Sequence, residues 1–421
     1  MINLEPGVLS PYNTCLDYQR FVSTLAKNPD SPPTTRVSPD GSLITFGEVS
    51  LSIPNLRQGL HRLLSEVQAE LKEVCYGDTF DLKIPDNVAD DWAEETRGYS
   101  WVHNEPFLTD RRCLLKAMVN DTSTNLAGFP TSATWEALKK FTSINQKLCI
   151  LCFLLPGQSP RGAEFVDYKI ANSTRGRNLF RDRRDIYLAN RRNKTEAARK
   201  KETFLPVKLP PELASVFQTY LLLIRPAEED LAYILRGAHS WNTYREYLWV
   251  DRCDRISSEM FYTLFQTFMR EYCGADIGLH DWRQISVGIA RVYLGSGFEV
   301  DEDEFDVLAA QRGHTARMAQ FKYATEVGHI ACMSSDLLLR FSKASEAWWS
   351  VIGFHPHIPA LLPLRLRKEL EIDATGQELS KKILNDVVAN EMSSLKEELS
   401  SFITDAVKRA IAELLEASRG E

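Results

Sequence analysis

The sequence contains no long apolar run. Its longest purely apolar stretch is the eight residues from Leu148 to Leu155, stopped by Pro156. A membrane-spanning helix takes about 20 such residues, so no transmembrane segment is expected. The first residues, Met-Ile-Asn-Leu-Glu-Pro, lack the basic start and apolar core of a secretory signal. Cysteines at positions 15, 75, 113, 149, 152, 253, 273 and 332 are scattered through 421 residues. That scatter reads as reduced, intracellular thiols and not as a disulfide framework. There is no surplus of basic charge either: 50 Lys and Arg stand against 57 Asp and Glu, a net charge of −7. Taken alone, this argues against a polyanionic partner. With 44% hydrophobic and 25% charged residues the composition is globular, which excludes disordered, collagen-like and low-complexity classes. At the usual domain size the length corresponds to about two or three domains.

The charge is unevenly placed. Between Arg175 and Lys201 there are eleven Lys or Arg and three acids, whereas six carboxylates lie between Glu299 and Asp306. A near-neutral total therefore conceals a basic segment, and polyanion binding depends on the local face. A solvated surface loop is the plainer reading of such a run.

Residues 1–50 are rich in Pro, Ser and Thr, with a Ser38-Pro39-Asp40-Gly41 turn before a strand expected at Leu43–Phe46. From Pro54 onward Leu56, Leu60, Leu63, Leu64, Val67, Leu71 and Val74 recur at helical spacing. Residues 76–130 read as irregular, with an aromatic-rich stretch at Trp92–Phe107. A second helix is expected from Thr131 to the Pro156-Gly157 stop, with Ser132 as its cap. Cys149 and Cys152 lie inside it at metal-ligand spacing. No second pair follows and the neighbours are apolar, so buried core thiols are expected. Strands at Asp185–Ala189 and Thr203–Leu209 are expected to flank the most basic stretch, followed by helices at Pro211–Ile224, Ser257–Arg270 and His280–Leu294. Beyond Leu379 an apolar stripe from Leu384 to Leu414, with Lys and Glu between, predicts a helix that pairs with a second copy or docks on its own chain.

Four local patterns carry chemistry. They are Arg161-Gly-Ala-Glu164, Lys194 between the two strands, His280-Asp-Trp-Arg283 at the head of a helix, and Gly313-His314 followed nine positions later by Tyr323. Each has a plainer reading by itself. Arg161 with Glu164 makes an ordinary i, i+3 helix pair, and Lys194 is one of several hairpin lysines. His280 and Arg283 suit a solvated helix face, His314 a structural histidine and Tyr323 a half-buried aromatic.

In this order the four patterns resemble the tyrosine recombinase (phage integrase) family, over roughly residues 133–350. Leu279-His-Asp-Trp-Arg-Gln-Ile-Ser-Val, Arg312-Gly-His-Thr-Ala-Arg and Ser345-Glu-Ala-Trp-Trp are more narrowly similar to recombinases of fungal Crypton elements and to domains beside subtelomeric helicases. One departure is the 31-residue interval from Arg283 to His314, which holds the acidic run and reads as a surface insertion.

The resemblance implies a mainly α fold with a small β-sheet. Residues 1–130 would form a helical core-binding domain that clamps DNA, 131–358 the catalytic domain, and 359–421 a helical tail able to form a coiled coil. It also implies the roles. Tyr323 is the nucleophile, and Arg161, Arg283 and His314 bind the scissile phosphate. Lys194 is the general acid, with Lys200 and Lys201 as alternatives, and His280 assists proton removal from Tyr323. Glu164 orients Arg161 or its neighbours. Phosphate contacts are expected from Arg175, Arg177, Arg181, Arg191, Arg192, Lys200 and Lys201. The expected partners are double-stranded DNA and further copies of the chain, a dimer in solution and a tetramer in synapsis, with no membrane, metal or cofactor. The expected activity is integration or excision of a mobile element through a 3′-phosphotyrosine, in the nucleus. A domesticated DNA-binding protein, a type IB topoisomerase and a structural scaffold are the competing classes.

Overall fold

The computed structural model describes residues 35–77, 90–104, 110–191, 204–295 and 335–369. Its first element is an antiparallel meander of β1 (Thr35–Val37), β2 (Leu43–Phe46) and β3 (Val49–Ser52). The Ser38–Gly41 turn is closed by Asp40, whose carboxylate accepts from the hydroxyls of Ser38 and Ser42 at 2.5 and 2.6 Å. Gly41 takes a left-handed φ of 71° there.

Helix α1 (Ile53–Val74) follows directly, with Ser52 accepting from the Asn55 amide and Pro54 in its first turn. The expected stripe from Leu56 to Leu71 is its buried face. Gly59 lets α1 approach a neighbouring helix closely: a Cβ there would lie 2.8 Å from the carbonyl oxygen of Tyr272.

Two short helices, α2 (Trp101–Asn104) and α3 (Cys113–Asn120), lead to α4 (Thr131–Leu154). Pro130, not Ser132, takes the cap position of α4, and Ser132 falls inside the first turn. Cys149 and Cys152 are buried in α4, and burial raises both thiols well above their ordinary pKa. The six described cysteines are all free thiols.

After the single turn α5 (Gly162–Phe165) comes a second antiparallel sheet, β4 (Leu179–Asp182), β5 (Asp185–Asn190) and β6 (Leu205–Lys208), in that order. Strand β4 was not expected. It lies in the basic run, and its pairing with β5, Leu179 opposite Leu188, is what makes it a strand.

Helix α6 (Pro211–Thr219) widens into a π-turn over Tyr220–Ile224 and runs on as α7 (Arg225–Arg236). The wider turn accommodates Pro226, which would otherwise end the helix. Then follow α8 (Ala238–Glu246), the hairpin β7 (Val250–Asp251) and β8 (Asp254–Arg255), α9 (Ser258–Cys273), α10 (Leu279–Tyr293), α11 (Ser335–Ile352) and α12 (Leu364–Glu369). The fold is thus mainly helical with small antiparallel sheets. Among the described residues no helix is long and apolar enough to cross a membrane.

One continuous hydrophobic core runs from Ile44 to Phe354. Leu56 and Leu60 of α1 share it with Phe141 of α4, Phe265 of α9 and Trp348 of α11. Strands β1 and β2 pack on α10, where Gly288 admits Thr35. The described residues before 130, from Ile44 to Leu126, share this core with the later helices. At the other end α12 lies on α10, with Arg367 donating to the carbonyl of Tyr293, so residues 359–369 belong to the same body. The expected tail helix, Leu384 to Leu414, and the acidic run, Glu299 to Asp306, lie outside the described residues.

Candidate active site

The expected site residues divide into two groups. Arg161, Glu164, His280 and Arg283 are described; Lys194, His314 and Tyr323 lie outside the described residues, as do Arg192, Lys200 and Lys201.

Arg161 and Arg283 are brought together by buried hydrogen bonds between the loop after α4 and helix α10. Trp282, only 1% exposed, points inward and donates from its indole nitrogen to the Ser159 hydroxyl at 3.0 Å. That hydroxyl in turn donates to the carbonyl of Phe153 at 2.7 Å. Gln158 donates to the Ser286 carbonyl at 3.1 Å and accepts from the Ser286 hydroxyl at 3.0 Å. With Trp282 and Ile285 turned into the core, helical geometry leaves His280, Arg283 and Gln284 on the open side. Gly162 completes the fit, since a Cβ there would sit 2.7 Å from Leu279 Cδ1.

The result is a cleft of about 610 Å³ lined by Arg161, Gly162, Leu279, His280, Arg283, Gln284, Val287 and Arg291. Among the described residues its lining carries three arginines and a histidine and no carboxylate. Arg161 donates from Nη1 to Oε1 of Glu164 at 3.2 Å, and the Asn190 amide donates to Oε2 of the same carboxylate at 3.0 Å. Glu164 is thus held from both sides and steadies Arg161 while leaving 38% of the arginine side chain exposed.

Burial, and then the neighbouring Arg161, push the Arg283 pKa down, and Glu164 opposes them. Two guanidiniums facing one cleft repel each other and are relieved by an anion between them. The arrangement can therefore bind a tetrahedral anion from two directions. Phe46, at the end of β2, stands edge-on to His280 with ring centres 6.1 Å apart, so the N-terminal meander borders the cleft.

The expected phosphate contacts need correction. Arg175 is exposed, and Arg191 lines a smaller cleft of about 260 Å³ next to it. Arg177 and Arg181, however, are 0% and 1% exposed and cannot reach a nucleic acid in this structure. Arg177 lies between the rings of Tyr99 and Phe180, each centre 4.7 Å from its guanidinium, and pairs with the fully buried Asp90 at 2.9 Å. Arg181 donates to the carbonyl of Arg183 at 2.5 Å, with its guanidinium 5.5 Å from the Trp101 ring centre. Both tie residues 90–104 to β4. The charge count over Arg175–Lys201 could not separate inward from outward arginines.

Sequence reasoning also missed Asn190, Gln158, Ser159 and Arg291. For Arg291 a signal existed: it sits eleven residues, about three helical turns, after His280. Among the described residues no three His, Cys, Asp or Glu side chains converge as a metal ion would require.

No protein-family model matches the chain, and no solved structure matches it.

Proposed function

We propose that the protein is a DNA strand transferase of the tyrosine recombinase type. The observation that carries the reading is the meeting of Arg161 and Arg283 in one cleft, beside His280 and, among the described residues, with no carboxylate in its lining. These residues come from motifs more than a hundred positions apart, in the order the family would have them. Tyr323, Lys194 and His314 enter on that order alone.

In this reading a DNA phosphate lies between Arg161 and Arg283. The Tyr323 oxygen attacks phosphorus, the bond from phosphorus to the 5′-oxygen breaks, and a 3′-phosphotyrosine forms. The tyrosine proton passes to His280, and the leaving 5′-oxygen takes a proton from Lys194. Planar guanidiniums suit the charge that spreads over the non-bridging oxygens, and His314 adds a further hydrogen bond to them. A 5′-hydroxyl from another strand reverses the steps and completes the exchange. Duplex DNA is the substrate, and further copies of the chain assemble on it.

The test uses nicked suicide duplexes drawn from the DNA flanking the protein's own gene. The natural chain should form an adduct that survives detergent. Tyr323→Phe should form none while binding the same duplex as tightly. An adduct that persists in Tyr323→Phe defeats the assignment. Tight binding without any adduct favours a DNA-binding protein that has lost its chemistry.

A further inference from the structure

The open side of α10 carries a second arginine beyond Arg283. Arg291 is exposed and lines the same cleft as Arg161 and Arg283. It lies eight residues beyond Arg283, about 12 Å along the helix axis at 1.5 Å per residue. Eleven residues separate it from His280, about three turns, so the two share a stripe with Gln284 and Val287 between them. The opposite side of the helix, Trp282, Ile285 and Ile289, is buried, which holds the stripe toward solvent.

We propose that Arg291, about two turns beyond Gln284 on the same stripe, forms a second subsite for a backbone phosphate of DNA, distinct from the one taken by Arg161 and Arg283. The proposal rests on the strand-transferase reading for its ligand. A duplex offers phosphates at regular steps of about 3.4 Å of rise along each strand. A helix with cations about 12 Å apart along its axis can therefore meet two of them at once. Gln284 supplies a neutral donor between the two. Such a contact sets where α10 lies on the backbone and carries no sequence information. Its purpose is register: with the second phosphate seated, the reacting one is placed between Arg161 and Arg283.

The experiment measures affinity for the same suicide duplex as a function of salt. For Arg291→Gln the slope of log K against log salt should shrink by about 0.9, the contribution of one phosphate, and Arg291→Lys should restore it. Equal melting temperatures establish that both variants are folded. A scan replacing single phosphates by neutral methylphosphonates should then find, among the sensitive positions of the natural protein, the cleaved phosphate and one further position facing Arg291. Arg291→Gln should lose sensitivity at that further position only, and keep it at the cleaved phosphate.

An unchanged salt slope overturns the subsite, as does loss of sensitivity at the cleaved phosphate, which would place Arg291 on the first phosphate. The adduct assay separates this from the parent reading. A natural chain that forms no adduct but keeps the second sensitive position loses the chemistry and retains the subsite. A chain without salt-dependent affinity for duplex DNA overturns both.

Discussion

The Asn190 amide and the Glu164 carboxylate meet at 3.0 Å, so the last residue of β5 holds the group that steadies Arg161. Glu164 is nearly buried, with 12% of its side chain exposed, and Arg161 and Asn190 donate to one oxygen each. The bridge makes the orientation of a cleft arginine depend on a strand far from it in sequence.

Asn190→Ala should therefore loosen Arg161 without removing any cleft residue. A hydrogen bond to a charged group contributes about 1.5–3 kcal/mol, so adduct formation should slow by roughly tenfold or more. Duplex affinity, which draws on many phosphates, should change little. Single-turnover adduct kinetics beside a binding isotherm separate the two, and equal rates in the variant would show that Arg161 needs no such support.

Arg177 and Arg175 are two residues apart and should behave oppositely. Arg177→Met leaves Asp90 buried without its cation and should cost about 3–5 kcal/mol in denaturant unfolding. Adding Asp90→Leu should recover part of that loss. Arg175→Gln, at an exposed position, should leave stability alone. A stable Arg177→Met chain with weakened DNA binding would return Arg177 to the surface set.

His103 predicts an acid limit to stability. Its side chain is 2% exposed beside Glu229, and burial, followed by Arg245, Arg111 and Arg225, lowers its pKa from 6.5 to about 3. The unfolded chain thus takes up the proton first as pH falls. The contribution of His103 is complete above pH 6.5 and is lost as pH falls toward about 3. His103→Gln has no proton to bind there. The stability difference between the two chains should shift against the natural one by up to a few kcal/mol across that window. Parallel urea titrations at several pH values measure it, and a constant difference would mean that His103 is charged in the fold.

Much of the helical framework was legible because its signals are local. The stripe from Leu56 to Leu71 marked α1, and Thr131 to Pro156 bounded α4 to within two residues. The His280-Asp-Trp-Arg283 motif opened α10 with Trp282 inward and Arg283 toward the cleft. Arg161 and Arg283, from two separate motifs, line one cleft. Less legible were the parts made by contacts between distant segments. Strand β4 exists through its ladder with β5, and the meander of residues 35–52 packs on α10, more than two hundred positions later.

The sequence by itself determined the helices α1, α4, α6, α9 and α10, the face that α1 buries, and which residue types stand at the four motif positions. Spacing along one chain is enough for that, since an apolar stripe has a single side that can leave water. Only the tertiary structure decided that Arg177 and Arg181 face inward while Arg175 faces out, and that Asn190 reaches Glu164. A basic side chain carries the same charge wherever it lies. Whether it meets solvent or a buried carboxylate such as Asp90 depends on segments 87 residues away, which no local pattern encodes.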